Sequence, residues 1–266
     1  MPAIALRDLD APDLVPYRNL KHHIQSGAED FVVESSLVIE RLLDSAYRVH
    51  SLLLTPHRYE SLAAQIPEHV PVYVAPKDLI SEIAGFEVHR GCLARAGMPE
   101  ERSELREFLD RENPQSVLVL EGLADPTNVG AIVRNAAAFG VDLIITDPRG
   151  ASPFSRRAAR TSAGHIFRVP VFEKDPLEAI ALLRQHDSSF EVVAATPSSE
   201  ALLLRDYRPP GPLVLMVGNE GIGLTPGALK ASDRHVRIPM ASGVDSLNVS
   251  ASAAVLLYAL ISCVTR

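Results

Sequence analysis

The amino-acid sequence predicts an α/β protein, with a small α/β domain over residues 1–97, a charged linker over 98–113 and a parallel-sheet domain over 114–266. Three observations predict it. Beyond residue 114 the apolar runs are continuous rather than alternating, the pattern of strands buried on both faces. Stretches of helical periodicity separate those runs, which places helices on both sides of a parallel sheet. Between the two regions, "GMPEERSELREFLDRENPQ" (97–115) is dense in charge, lacks a β pattern and carries Gly and Pro near its ends. That stretch reads as a linker with a short helix in "ERSELREFLD".

The elements follow in chain order. "MPAIALRDLDAPDL" has no basic segment leading into an apolar core, so no secretory signal is expected. "FVVESSLVIERLLDSA" (31–46) has helical spacing, "HSLLLT" and "VPVYVA" read as short strands, "PKDLISEIA" as a helix opened by Pro76, and "GCLARA" as a final strand. In the second region strands are expected at 116–121, 141–146, 190–196, 212–218 and 235–240. Helices are expected at 128–139, 153–162, 175–186, 225–231 and 247–263. The apolar stretch "ASAAVLLYALISCV" falls short of the roughly 20 residues of a bilayer span and reads as a buried helix. Its small residues come early and its large ones late, which suits close packing against a second subunit.

In "DPTNVGAIVRNAAAFG" (125–140) a helical wheel gathers Val129, Ile132, Val133, Ala136, Ala137, Phe139 and Gly140 on one face. Arg134 falls on the other with Ala131, Asn135 and Ala138, a single charge among alanines where a solvated face would carry several. A partner or ligand covering that face is expected.

The net charge of −7 argues against a protein that coats nucleic acid through bulk charge. The strip "PRGASPFSRRAARTSAGHIFR" (148–168) nevertheless holds Arg149, Arg156, Arg157, Arg160 and Arg168 with no acidic residue, which suits contact with a few phosphates. Cys92 and Cys263 lie far apart and form no redox or metal-ligand pattern, consistent with a reducing, cytoplasmic setting. The histidines are scattered, so no metal site is expected. No GxSxG elbow appears, which argues against a serine hydrolase.

Ligands of open α/β sheets sit beyond the carboxyl ends of the strands. Three of those ends are unusual here: "EGLADPTNVGAIVRN", "GNEGIGLTP" and "MASGVDSLNVSASAA" are rich in Gly, Asn and Ser. Gly218, Gly221 and Gly223 do not follow GxGxxG, and no GxxxxGK[ST] is present, so a phosphate cradle is poorly supported. Exposed backbone groups in such a loop suit a flat heterocycle or polar small molecule.

Taken together, the loops resemble the three motifs of the SpoU-type RNA ribose 2′-O-methyltransferases of the SPOUT superfamily. The matching stretches are "LADPTNVGAIVRNAAAFG", "LVLMVGNEGIGL" and "VRIPMASGVDSLNVSASAAVLLY", with "SRRAARTSAGHIFRVPV" similar to the segment between the first two. "YRNLK", "FVVESSLVIERLL" and "HRGCLA" resemble, more loosely, the substrate-binding domain that precedes the catalytic one. Ser35 stands where Gly is common and Arg90 where Gln is common.

The resemblance implies S-adenosylmethionine as methyl donor, an RNA substrate, a homodimer and a C-terminal domain with a deep trefoil knot. It also implies an N-terminal RNA-binding domain resembling a ribosomal-protein fold. Ribosomal RNA is favoured over tRNA because of that separate domain. By motif, Gly218, Ile238 and Leu247 line the cofactor pocket, with Thr196, at the end of a preceding strand, a further candidate, and Asn128, Arg134, Glu220, Ser246 and Asn248 match the polar active-site positions. Arg156, Arg157 and Arg160 are the candidates for RNA phosphates. A guanidinium stays protonated, so Arg134 is expected to hold a phosphate and ease alkoxide character. Glu220 is expected to orient Arg134 or the amides of its own loop. The competing class is a non-catalytic RNA-binding or assembly factor, against which the intact polar residues of all three motifs argue.

Overall fold

A computed structural model describes residues 4–6, 12–18, 20, 30–98 and 104–261. Its contacts fall into two units, Met1–Arg102 with Phe154–Arg168, and Ser103–Pro153 with Val169–Arg266. In the first unit, β1 (Ile4–Ala5), β2 (Asp30–Glu34), α1 (Ser36–Leu43), β3 (Arg48–Leu54), α2 (Pro56–Leu62), β4 (Val72–Val74), α3 (Lys77–Ala84) and β5 (Cys92–Gly97) follow one another. The strands form a sheet in the order β1-β4-β3-β5-β2. β5 runs antiparallel to β3 and β2, and the other pairs are parallel.

The helical spacing of residues 31–46 divides into two elements. Phe31–Val33 belong to β2 because β5 offers a partner strand, pairing Val33 with Ala94. The chain turns at Ser35, whose φ of 88° lies in the region that glycine occupies most easily. Only from Ser36 does the helix begin, burying Val38, Ile39 and Leu42.

The second unit opens with α4 (Leu105–Glu112), which lies inside the stretch read as a linker. Leu105, Phe108 and Leu109 recur at helical spacing and enter the core beside Ile145, Leu183 and Val192. Then come β6 (Ser116–Leu120), α5 (Pro126–Phe139) and β7 (Leu143–Thr146). Phe154–Arg168, with α6 (Arg156–Thr161), groups with the first unit. There Phe154 and Phe167 lie 5.4 and 5.8 Å, centroid to centroid, from Phe31. The chain resumes with β8 (Val171–Glu173), α7 (Pro176–His186), β9 (Glu191–Ala195), β10 (Leu202–Leu203), β11 (Leu213–Val217), α8 (Pro226–Ala231), β12 (Arg234–Arg237) and α9 (Val249–Leu260).

All seven strands of this sheet pair in parallel, in the order β10-β12-β9-β11-β6-β7-β8. The expected strands correspond to the five longer ones, of which β12 (RHVR) ends three residues before its expected limit; β8 and β10, at three and two residues, are too short to leave a pattern. Val117, Val119, Ile145 and Val214 face the core shared with α4, α7 and α8. Leu118, Ile144, Val193 and Leu215 alternate with them and are fully buried on the other face. On that side α5 pairs with α9, and Asn135 Nδ2 donates to the Ser250 carbonyl at 3.1 Å. Among the described residues no helix is long and apolar enough to cross a membrane.

Candidate active site at the carboxyl edge of the second sheet

Five adjacent strands end in a row, and the next residue of each belongs to a distinct chemistry. Along β12, β9, β11, β6 and β7 these residues are Ile238, Thr196, Gly218, Glu121 and Asp147. Three of the expected cofactor positions thus lie side by side, because β11 and β12 flank β9 on its two edges. After Ile238 the chain reaches α9, which packs beside α5.

The loop after β11 is closed by its own backbone. Asn219 and Gly223 exchange backbone hydrogen bonds of 3.1 and 2.9 Å, and Asn219 Oδ1 accepts from the amides of Gly221 and Ile222. Asn219 Nδ2 donates to the Gly122 carbonyl at 2.8 Å, tying this loop to the one after β6. A Cβ on Gly218 would stand 2.4 Å from Gly223 C and Leu224 N, so the turn admits no side chain there. Buried Glu121 accepts from both the amide and the hydroxyl of Thr225 at 2.8 Å, which fixes the far end of the loop.

Glu220 joins the three motif loops. Its carboxylate accepts from the amides of Ala124 (3.1 Å) and Asp125 (3.2 Å) and from Asn128 Nδ2 (2.9 Å). Asn128 Oδ1 in turn accepts from Asn248 Nδ2 at 3.0 Å. Asn248 Oδ1 caps α9 through the amides of Ser250 and Ala251 and the Ser250 hydroxyl. Each amide is thereby held in one orientation, with its nitrogen toward the previous acceptor in the chain. Desolvation pulls the Glu220 carboxyl upward, but the hydrogen bonds from Asn128 and the loop amides outweigh it and hold it below the usual carboxylate range.

Of the two roles expected for Glu220, the structure shows the loop amides as its partners. Arg134 is exposed on the outer side of α5 and makes no hydrogen bond or ion pair with the described residues. Ser246 and Leu247 lie in the exposed segment before α9, Leu247 with 43 % of its surface accessible and Ile222, in the neighbouring loop, with 83 %. The three arginines expected to meet RNA phosphates, Arg156, Arg157 and Arg160, are in the other unit, and two of them are already engaged. Arg156 Nη1 donates to Glu34 Oε2 at 2.9 Å and its guanidinium lies 3.8 Å from the centroid of Phe86, while Arg160 Nη1 bonds Glu34 Oε1. Arg157 is exposed. The Glu121–Thr225 pair, Asn219 and Asp147, the partner of the strip residue Arg149, escaped the reading of the sequence. Asn219 and Thr225 had a signal in their polar, turn-rich loop; the two carboxylates had only their place at the ends of apolar runs. Among the described residues no group of three or more His, Cys, Asp or Glu side chains is placed to hold a metal ion.

A parallel α/β sheet with convergent polar loops at its carboxyl edge belongs to the class of folds that bind small molecules at that edge. The profile of the SpoU rRNA Methylase family matches residues 115–258, and the chain belongs to that family. An uncharacterized tRNA/rRNA methyltransferase of Mycobacterium tuberculosis is 36 % identical over 262 residues, 94 % of this chain and 89 % of that protein. Among solved structures, an AdoMet-bound rRNA methyltransferase from Sinorhizobium meliloti superposes with a TM-score of 0.81 at 25 % identity, covering 97 % of each chain. A second, an RNA 2′-O ribose methyltransferase, has a TM-score of 0.74 at 29 % identity over 96 % of this chain and 97 % of that one.

Proposed function

We propose that the protein transfers a methyl group from S-adenosylmethionine to the ribose 2′-OH of one nucleotide in RNA, ribosomal RNA in preference to tRNA. It works as a cytoplasmic homodimer whose C-terminal domain carries the family's trefoil knot. The observation that carries this reading is the hydrogen-bonded chain Ala124/Asp125–Glu220–Asn128–Asn248, which links one polar residue from each of the three motifs. The 29 % identity to an RNA 2′-O ribose methyltransferase supports the choice of ribose.

The residues present fit the cofactor. Thr196, Gly218 and Ile238 follow three adjacent strands, the 219–223 turn is closed without a side chain at Gly218, and Ile222 and Leu247 expose apolar surface to a flat ring. When bound, S-adenosylmethionine supplies a methyl group already activated by its sulfonium. What remains for the chain is to align the ribose hydroxyl and to ease the loss of its proton. Arg134, without a hydrogen bond or ion pair among the described residues, holds a phosphate beside the reacting ribose and stabilises developing alkoxide charge. Asn128 and Asn248 keep the sugar-facing loops in register, and Ser246 hydrogen-bonds the sugar. Arg157, exposed in the first unit, contacts phosphate, whereas Arg156 and Arg160 serve chiefly to hold Glu34. Val255 and Tyr258 are 41 % and 67 % exposed on α9 and supply an apolar face for a second copy.

The test is methyl transfer from labelled S-adenosylmethionine to unmodified ribosomal RNA and tRNA, followed by digestion to nucleosides. The expected product is one 2′-O-methylated nucleoside from ribosomal RNA, lost in Arg134→Ala; a base-methylated product overturns the ribose assignment. Sedimentation of a monomer at micromolar concentration overturns the dimer.

A further inference from the structure

The loop after β7 carries a built feature that none of the motifs includes. Asp147 has 2 % of its side chain exposed, and Arg149, 64 % exposed, closes on it. Arg149 Nε donates to Oδ1 at 3.0 Å and to Oδ2 at 3.1 Å, Nη2 to Oδ2 at 2.8 Å, and the Arg149 amide to Oδ1 at 2.9 Å. One edge of the guanidinium is therefore fixed. Of its five N–H donors, those on Nη1 and the second on Nη2 have no partner among the described residues.

This loop is seated against the one that Glu220 holds. Ala151 N donates to the Leu123 carbonyl at 2.7 Å, and a Cβ at Gly150 would stand 3.1 Å from that same oxygen. A Cβ at Gly122 would lie 3.9 Å from Asp147 Oδ2 and 4.0 Å from Asn219 Cβ. Asp147 therefore sits one strand from Glu121, at the edge where Asn128, Glu220 and Asn248 meet. A guanidinium pinned on one edge by a buried carboxylate has lost its rotamer freedom before a ligand arrives. Its free edge keeps the fork geometry that matches phosphate oxygens.

We propose that Arg149 is a preorganised contact for an RNA phosphate flanking the modified nucleotide, and that Asp147 is its positioning residue. The assignment rests on the reading of this edge as an RNA methyltransferase site.

The full-length protein is titrated into a labelled hairpin RNA of mixed sequence, with bulk ribosomal RNA as competitor, over about 50–200 mM salt. Arg149→Ala is expected to weaken RNA binding about tenfold and to flatten the log K against log salt slope by about 0.7–0.9, one phosphate's worth. Its S-adenosylmethionine affinity should stay at the wild-type value, while its thermal midpoint falls because the Asp147 carboxylate loses its guanidinium partner. Arg149→Lys should recover the slope but not the affinity, since ammonium is a point charge. Asp147→Asn should keep the slope and raise KM for RNA more than it lowers kcat. Wild-type affinity and slope in Arg149→Ala overturn the assignment. So does a loss of RNA binding that comes with loss of S-adenosylmethionine binding, because Arg149 is then a loop tether only. Failure of the wild-type protein to bind either RNA rejects the underlying reading, and the wild-type titration shows this independently of the variants.

Discussion

Glu220 accepts three hydrogen bonds while Asn128 and Asn248 each have one orientation that satisfies their neighbours. Glu220→Gln replaces one acceptor oxygen with a donor. If Asn128 turns its amide to meet it, Asn128 Nδ2 faces Asn248 Nδ2, and Asn248 cannot turn without uncapping α9. The near-isosteric change is therefore expected to cut methyl transfer by about a hundredfold or more, comparable to losing a placed hydrogen-bond donor at an active site. Because the folded-state pKa of Glu220 is depressed, its contribution to stability is fully present above the unfolded value of about 4.3 and is lost as pH falls through the folded value. The thermal midpoints of wild type and Glu220→Gln should differ by a constant amount at pH 6–8 and converge below about pH 4. Gly218→Ala forces a methyl group into backbone 2.4 Å away and should cost about 1–3 kcal/mol together with S-adenosylmethionine affinity, as read by denaturation and calorimetry. At this scale the motifs name Asn128, Glu220 and Asn248, but not the bonds between them. Those depend on β11 lying next to β6, a pairing of residues almost a hundred positions apart.

Among the elements, α4 shows what charge density conceals. Its sequence "LREFLDRE" is mostly ionic, yet Leu105, Phe108 and Leu109 at i, i+3 and i+4 form a complete buried stripe. Phe108→Ala should therefore destabilise the protein by about 3–5 kcal/mol in equilibrium denaturation, where a residue in a free linker would cost nothing measurable. The division of residues 31–46 into β2 and α1 was hidden for a different reason. A glycine at position 35 would have marked the break, but Ser35 adopts φ 88° instead. Ser35→Gly should relieve about 1 kcal/mol of backbone strain and raise the thermal midpoint; an unchanged or lower midpoint would show that the serine side chain compensates. By contrast, β6, β7, β9 and β11 were legible to within two residues at each end, because burial on both faces leaves continuous apolar runs, whereas the half-exposed β12 ends three residues before its expected limit.

Over the whole molecule, the basic strip was the least legible feature. Arg156 and Arg160 read as candidates for RNA phosphates, and their pairing with Glu34, 122 and 126 residues earlier, is visible only in the folded chain. Only the folded chain discloses that a segment from the middle of the sequence belongs with the N-terminal unit, and that Phe154 and Phe167 are part of that unit's aromatic cluster with Phe31 and Tyr47. The chain consequently passes between the two units three times, after residues 102, 153 and 168. A protease site placed within residues 99–103 cuts the first passage alone. The two pieces should still elute as one particle in size exclusion under native conditions, because residues 154–168 remain covalently part of the C-terminal piece and noncovalently part of the N-terminal unit. They should separate in the denaturant range that melts the Phe31 ring cluster, and earlier in Glu34→Gln. What reads along the sequence as two modules on a string is, in its connectivity, a clasp: severing the string leaves the clasp shut.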